Sequence, residues 1–167
     1  MKFLTVLLSS DHKRLEFDCG NQVLNGYLHS YALQDMKRRV SRPYVSVSPD
    51  NFIKGFYTLS ASSFCFESIP ENLRKKLPRY PLPAVLIGRL AVDQKLQKQG
   101  IGKHLFMDAL YRIVLAESSI GIYAAVVEAK DEQAQAFYEK FGFISFKEQP
   151  LKLFLPLSTI KQALLGD

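Results

Sequence analysis

The feature that most constrains this chain is a glycine-bearing turn between an apolar segment and an amphipathic one. Residues 84–92 are apolar apart from Gly88 and Arg89, which is typical of a strand buried on both faces. Residues 100–117 have apolar side chains at spacings of three and four, which predicts a helix. The turn between them can direct several backbone N–H groups toward one anion at a helix N-terminus. The sequence therefore predicts an α/β fold with a phosphate-binding turn.

Two common phosphate-binding turns do not fit the segment Gln97-Lys98-Gln99-Gly100-Ile101-Gly102. A Walker A loop would need a glycine at Gln97 and a hydroxyl side chain at His104. A dinucleotide-binding turn would need glycine at positions that hold Lys103 and Leu105. The pattern that remains is Gln-x-x-Gly-x-Gly, and taken by itself it also fits an ordinary strand-to-helix turn.

The other segments predict one α/β domain over residues 1–167, with neither a repeat nor a linker. Asn21 is a good N-cap for one helix, and Asp131 caps another that stops near Gly142. Runs rich in Val, Phe and Tyr around a Pro-Asp-Asn turn predict a β-hairpin. The predicted strands are residues 3–8, 43–47, 52–66, 84–92, 121–127, 143–146 and 151–155, and a short helix covers residues 157–165.

The composition excludes several classes of protein. Hydrophobic residues make up 47% of the 167 residues, so a disordered chain is excluded. The two cysteines and three histidines are scattered, which argues against a metal site, a disulfide framework and a cysteine nucleophile. No run approaches the roughly 18 apolar residues of a membrane span, and no signal peptide is expected. We therefore expect a soluble cytoplasmic protein, and its net charge of +6 favours anionic partners.

Three segments together resemble the GNAT acetyltransferase superfamily. The turn resembles the family's pyrophosphate-binding signature, and Arg89-Leu90-Ala91-Val92 is similar to the strand that pairs with the pantetheine arm of acetyl-CoA. The pattern Ala134-x-x-Phe137-Tyr138 followed by Gly142-Phe143 is similar to the next helix, whose tyrosine faces the cofactor sulfur. The resemblance implies a mixed central sheet of six to seven strands flanked by about four helices, with acetyl-CoA as the cosubstrate.

The outer segments narrow the resemblance to the TacT/AtaT-like toxins of toxin–antitoxin pairs. Those segments are residues 17–24, 57–61, 87–93, 127–131 and 153–156, so the likeness spans nearly the whole chain. It implies an enzyme that acetylates the α-amino group of aminoacyl-tRNA and so blocks translation. It also implies a ribbon-helix-helix antitoxin as partner, and it is compatible with a homodimer. Glu128 is a departure, because the branch usually has aspartate there.

The resemblance also assigns the cofactor site and a general acid. Tyr138 is expected to protonate the departing CoA thiolate, since a phenol with a pKa of about 10 keeps its proton at neutral pH. Phe137 and Tyr138 are adjacent, so one is expected in the core, and the resemblance selects Tyr138 for the site. Glu128 is either a base acting through water or a solvated carboxylate. The expected cofactor-binding residues are Leu90, Ala91, Val92, Gln97, Lys98, Gln99, Gly100, Ile101, Gly102, Lys103 and Phe137.

Two basic groups lie outside the cofactor turn. Each is either a solvated face or a set of phosphate contacts to the tRNA acceptor stem. Their members are Lys37, Arg38 and Arg39 in the first group, and Arg74, Lys75 and Lys76 in the second. Two other functions stay open at this point: acetylation of a protein or polyamine amine, and a non-enzymatic module that binds RNA or protein.

Overall fold

The computed structural model describes residues 3–166, and seven strands form one mixed sheet in the order β1-β2-β3-β4-β5-β7-β6. The strands are β1 Val6–Leu7, β2 Arg42–Val47, β3 Ile53–Phe64, β4 Leu82–Val92, β5 Ala124–Glu128, β6 Ile144–Phe146 and β7 Gln149–Pro156. The helices are α1 Gln22–Gly26, α2 Ala32–Lys37, α3 Ile101–Ala116, α4 Glu132–Lys140 and α5 Leu157–Leu165. A π-helical segment, Tyr27–Tyr31, joins α1 to α2. Because α1, this segment and α2 form one continuous helical stretch, residues 3–166 contain four helices: that stretch, α3, α4 and α5. The sheet and the four helices confirm the predicted fold class.

The chain divides into two compact units, and β3, β4 and α3 each contribute residues to both. The first unit contains the residues up to Ser60 together with Gly88–Ala109. The second contains Ala61–Ile87 and the residues from Leu110 onward. The single domain expected for residues 1–167 stays a prediction. Within residues 3–166, the structure has no helix long and apolar enough to cross a membrane.

The core of the first unit packs the helical stretch α1–α2 on strands β2 and β3 and on the end of β4. Leu28 of the π-helical segment and Phe56 of β3 are fully buried, and the ring of Phe17 meets Phe56 edge-on at 5.5 Å. The helical stretch begins where predicted, because the Asn21 side chain accepts the backbone N–H groups of Val23 and Leu24 at 3.0 and 3.1 Å. This packing fixes α1 over the strands that carry the candidate site.

The core of the second unit is built around three aromatic side chains. The rings of Phe64, Phe146 and Phe154 lie 4.9 to 5.6 Å apart. Strand β5 pairs in parallel with β4 and antiparallel with β7, which in turn pairs antiparallel with β6. Asp131 caps α4 by accepting the N–H of Ala134 at 2.8 Å, and Gly142 follows the helix with a φ of +100°. Both features of this helix confirm the sequence prediction.

The N-terminal strand is shorter than predicted, because a buried carboxylate binds the residues before it. Asp108 of α3 is only 6% exposed and accepts the Leu4 N–H at 2.8 Å and the Thr5 hydroxyl at 2.6 Å. The Tyr57 hydroxyl donates to the same carboxylate at 2.7 Å. The helical spacing of α3 predicts an exposed Asp108, and this prediction is wrong. Strand β5 also begins later than predicted, at Ala124.

Candidate active site

The turn between β4 and α3 has an unusual backbone conformation. It begins with a 3-10 turn at Gln94–Leu96, which Asp93 caps by accepting the N–H of Lys95 at 3.0 Å. Lys98 then adopts a φ of +67° and Gly100 a φ of +82°. A positive φ is strained for lysine but easily adopted by glycine. The backbone N–H groups of such a turn at the start of a helix can face one anion together, and concave backbone segments of this kind bind anions.

Helix α3 begins directly after this turn, at Ile101. The first N–H groups of a helix have no partner inside the helix, and they carry about half a positive charge together. A Cβ atom on Gly102 would meet only the Val92 Cγ2 atom, at 3.7 Å, so the backbone is open to close approach here. Lys98 and Lys103 are exposed and add positive charge. The turn and the helix start thus form a site suited to a di- or triphosphate group.

The side chain of Gln97 holds the turn against the rest of the first unit. Its amide nitrogen donates to the carbonyl oxygens of Val92 and Cys19, both at 2.9 Å. The turn is therefore fastened to the end of β4 and to the loop that precedes α1. The sequence predicts Gln97 as a direct cofactor ligand, but its amide nitrogen is already engaged within the protein.

Asp18 is the centre of the loop that precedes α1, and sequence reasoning missed it. Its carboxylate accepts the Asn25 side-chain amide and the Gly20 N–H, both at 2.9 Å, and the Gln94 side-chain amide at 3.1 Å. The Asp18 N–H in turn donates to the Asp93 carboxylate at 3.2 Å. The hydrogen bonds from Asn25 and Gly20 hold the pKa of Asp18 below its usual value, so this carboxylate stays ionised at neutral pH. The short polar run Asp-Cys-Gly-Asn was the available signal.

The end of β4 contains Leu90, Ala91 and Val92, the residues that the family resemblance assigns to pantetheine binding. Strand β4 pairs with β5 through Ala84–Ile87, and this pairing does not extend to residues 90–92. Ala91 is buried beside Gly55, where an added Cβ would lie 3.0 Å from the Ala91 carbonyl oxygen and 2.7 Å from Leu105 Cδ1. The strand end is therefore rigidly packed on β3 and α3, while its backbone groups take no part in the pairing with β5.

Tyr138 lies in the second unit, on the last two turns of α4. Its ring packs on Phe143 at 5.8 Å and on Phe137 at 5.5 Å. Burial raises the pKa of the Tyr138 phenol above its ordinary value, so the hydroxyl keeps its proton across the neutral range. Phe137 is 40% exposed, so the expectation that one of these two aromatic residues lies in the core is wrong. Both rings stay near the surface because α4 has no fully buried residue.

The remaining candidate groups divide clearly by exposure. Glu128, at the end of β5, is exposed, which favours the solvated carboxylate over a base acting through water. Cys19 is half-buried and Cys65 exposed, and both are free thiols. Among residues 3–166 no three His, Cys, Asp or Glu side chains come together in a way that could hold a metal ion.

The two basic groups differ in what holds their side chains. Lys37, Arg38 and Arg39 are all exposed, at and after the end of α2. In the second group Lys75 and Lys76 are exposed. Arg74 is different, because its guanidinium donates to the carbonyl oxygens of Ile69 and Glu67 at 2.8 and 2.7 Å. Arg74 therefore fixes its own loop, and five of the six predicted tRNA contacts have exposed side chains.

Comparison with known proteins places this geometry in a family. Residues 63–145 match the model of the acetyltransferase (GNAT) domain. The chain is 38% identical over 151 residues to a tRNA-acetylating toxin of Mycobacterium tuberculosis, an alignment that covers 90% of this chain and 89% of the relative. The chain belongs to the GNAT acetyltransferases. Within them it belongs to the TacT/AtaT-like toxins, as the likeness over nearly its full length predicted.

Two solved structures of AtaT match the chain closely. The complex of AtaT with acetyl-methionyl-tRNAfMet aligns with a TM-score of 0.89 and 32% identity, over 99% of this chain and 100% of that one. A mutant AtaT toxin bound to the C-terminus of the antitoxin AtaR and to acetyl-CoA aligns with a TM-score of 0.80 and 30% identity. That alignment covers 95% of this chain and 96% of the other.

The open backbone at Gly102 leads to a prediction about cofactor binding. We expect Gly102→Glu to weaken acetyl-CoA binding at least roughly tenfold, because a carboxylate would meet the cofactor phosphates at the helix start. Isothermal titration calorimetry gives the dissociation constant. The melting temperature should stay unchanged, because a negative charge is favourable near a helix N-terminus.

Gly102→Ala is the matched control for this substitution. The methyl group has room beside Val92 and carries no charge, so binding should change little. Acetyl-CoA affinity that survives Gly102→Glu would show that the turn does not bind the cofactor phosphates.

Proposed function

We propose that this protein is a toxin that transfers the acetyl group of acetyl-CoA to the α-amino group of aminoacyl-tRNA and thereby blocks translation. The observation that carries the proposal is the anion-binding turn at residues 97–102, fastened by Gln97 to the end of β4, in a chain 38% identical to a tRNA-acetylating toxin. The turn suits the pyrophosphate of acetyl-CoA. The relative's substrate and the surplus of positive charge point to tRNA as the acceptor.

The test of this proposal compares charged with deacylated tRNA. The protein is mixed with labelled acetyl-CoA and total charged tRNA, and the reaction is repeated after the tRNA has been deacylated. We expect label in the charged tRNA alone, because only the esterified amino acid offers the α-amino group. Label in neither sample would overturn the proposal. Transfer to an added protein or polyamine instead would favour a GNAT enzyme with another acceptor.

The chemistry requires stabilisation of two negative charges in turn. The amine nitrogen attacks the thioester carbonyl carbon, so a C–N bond forms while negative charge collects on the carbonyl oxygen. In an extended strand the N–H groups of residues two apart point to the same edge, so Leu90 and Val92 can donate to this oxygen together. The C–S bond then breaks and leaves a CoA thiolate, and the acetylated nitrogen releases its proton to water.

Tyr138 supplies the proton for the thiolate in this proposal. Its half-buried phenol stays protonated at neutral pH because this partial burial raises its pKa. A strong general base is unnecessary, since an α-amino group has a pKa of only about 7.7–8.0 and a neighbouring ester lowers it further. Direct transfer in a ternary complex therefore needs one acid, Tyr138, and an amine that is already neutral.

Replacing Tyr138 by phenylalanine tests the assignment of the acid. The ring contacts remain, so folding and acetyl-CoA affinity should stay nearly unchanged, while kcat falls roughly 10²- to 10⁴-fold because the proton donor is lost. Steady-state kinetics with charged tRNA and calorimetry with acetyl-CoA measure the two effects separately.

The pH profile of the wild-type enzyme is the second readout for Tyr138. Because its pKa is raised above about 10, the phenol stays protonated, and the rate should rise as the amine deprotonates and stay level to about pH 9. Wild-type turnover in Tyr138→Phe, or a fall in the wild-type rate between pH 8 and 9, would contradict the assignment.

The exposed basic groups are proposed to bind the phosphates of the tRNA. We expect the triple variant Lys37→Ala, Arg38→Ala, Arg39→Ala and the double variant Lys75→Ala, Lys76→Ala to lower the affinity for charged tRNA. Each lost phosphate contact should reduce the slope of log affinity against log salt by roughly 0.7–0.9. Arg74 is left unchanged because it fixes its loop. Binding titrations at several salt concentrations measure the slope.

The control for this prediction removes two lysines from elsewhere on the surface. Lys147 and Lys161 form ion pairs with Glu71 and Glu117, at 3.4 and 3.0 Å, and Lys147→Ala with Lys161→Ala removes the same charge as the double variant. Equal weakening by both doubles would indicate a general charge effect. Transfer to an amino acid methyl ester should barely change in any variant.

We also propose the partners and the compartment that this activity requires. AtaT has been solved with the C-terminus of its antitoxin AtaR, which supports an antitoxin as the partner that neutralises this toxin. The ribbon-helix-helix class of that antitoxin and a homodimeric toxin remain predictions from the family resemblance. Charged tRNA is the substrate, so the reaction takes place in the cytoplasm.

A further inference from the structure

Arg89 occupies a special position among the cations of the first unit. It is the first residue of the segment of β4 that resembles the pantetheine-pairing strand, directly before the expected cofactor-binding residues Leu90–Val92, and its side chain is half-buried. The centre of its guanidinium is 3.6 Å from the centroid of the Tyr27 ring. Within residues 3–166 the structure gives it no hydrogen bond and no ion pair, so its N–H donors have no partner among those residues.

Tyr27 is a rigid platform for this guanidinium. It is 7% exposed, stacks with Phe56 at 6.4 Å, and lies in the π-helical segment. Its hydroxyl donates to the Asp35 carboxylate at 3.1 Å, and burial raises the pKa of the phenol, so the donor proton is retained. A guanidinium stacked by its face on a ring keeps its N–H groups directed outward in its own plane. That edge matches the two oxygens of a phosphate.

Other arginines of the chain show what a structural role looks like here. Arg14 of the same unit donates to the His29 carbonyl oxygen at 2.7 Å, and Arg74 of the second unit donates to two carbonyl oxygens. Both therefore satisfy the protein's own backbone. Arg89 is partly withdrawn from water and donates to no group in the described part of the chain, which is the arrangement expected of a side chain that binds a ligand.

We propose that Arg89 binds a phosphodiester at the 3′ end of the charged tRNA and so positions the amino acid for acetylation. This inference rests on the proposed function, which places the thioester at the backbone of Leu90–Val92 and brings the acceptor amine to it. The nearest phosphodiester in that acceptor joins the last two nucleotides. Partial burial strengthens a charge-assisted hydrogen bond to it, compared with the exposed lysines.

The experiment uses three acceptors that carry the same amino acid. Aminoacyl-adenosine has no phosphate, an aminoacylated cytidylyl-adenosine dinucleotide has one phosphodiester, and charged tRNA has all of them. KM and kcat are measured for each acceptor with the wild-type enzyme, Arg89→Ala and Arg89→Lys. The control variant is Lys13→Ala, which removes a first-unit cation that lies 4.1 Å from the ring of Phe52.

We expect Arg89→Ala to raise KM for the dinucleotide and for charged tRNA roughly 10- to 100-fold, the range of a lost charge-assisted hydrogen-bond pair. KM for aminoacyl-adenosine should stay within about twofold of the wild-type value. Arg89→Lys keeps the charge and the alkyl stem but not the planar fork. Its KM for the dinucleotide and for charged tRNA should therefore lie between the values of the wild-type enzyme and of Arg89→Ala. If Arg89→Ala folds poorly, Arg89→Lys still decides the question.

Three results would overturn the proposal. An equal loss with all three acceptors would assign Arg89 to the fold or to the amino acid. An increase in the calorimetric dissociation constant for acetyl-CoA would assign it to the cofactor phosphates. Unchanged KM values in both Arg89→Ala and Arg89→Lys would show that Arg89 has no role in binding the acceptor. Failure of the proposed function has a different signature, since the wild-type enzyme would then acetylate none of the acceptors.

Discussion

The pair of hydrogen bonds from the Gln97 amide is the interaction on which the first unit's site depends. An anion-binding turn works only if its N–H groups converge before the anion arrives, and the positive φ angle of Lys98 makes this turn costly to hold. Gln97 fastens its start to Val92 and Cys19, while the ionised Asp18 collects amide donors from both neighbouring loops. In the proposed cofactor site the turn is therefore held by neutral amides around one carboxylate, and the exposed Lys98 and Lys103 add positive charge beside it.

The cations of this chain serve different purposes according to what surrounds them. Arg74 is bound to backbone carbonyl oxygens, so its charge stabilises a loop. The exposed cations at the end of α2 and the exposed lysines after Arg74 keep their hydration. Such groups suit long-range, salt-sensitive attraction of an anion. Arg89 belongs to neither class, because the Tyr27 ring orients it while its N–H donors have no protein partner between residues 3 and 166. Exposed cations are suited to attracting a long anionic substrate from solution. An oriented, half-buried cation such as Arg89 is suited to holding one phosphate of that substrate in a fixed position.

Local chemistry explains which parts of this structure could be predicted from sequence. The caps at Asn21 and Asp131 and the glycine after α4 depend on neighbours within four residues, and all three were predicted correctly. The Asp18–Gln94 contact joins residues 76 positions apart, and nothing in either local pattern indicates it. The burial of Asp108 was not predicted from the spacing of α3. Its hydrogen-bond partners Thr5 and Tyr57 come from distant segments, which the local pattern does not indicate.

The acid–base requirements of the proposed reaction explain why so few titratable groups are needed. The nucleophile is an α-amino group that loses its proton near neutral pH, and the leaving group is a thiolate that one phenol can protonate. Burial of Tyr138 favours its neutral form, which is the form a general acid must start from. An exposed Glu128 would add little, because a solvated carboxylate is a weak base toward an amine that is already half deprotonated. The remaining catalytic work is placement, and the Gln97 amide and the Asp18 carboxylate hold the turn that would perform it.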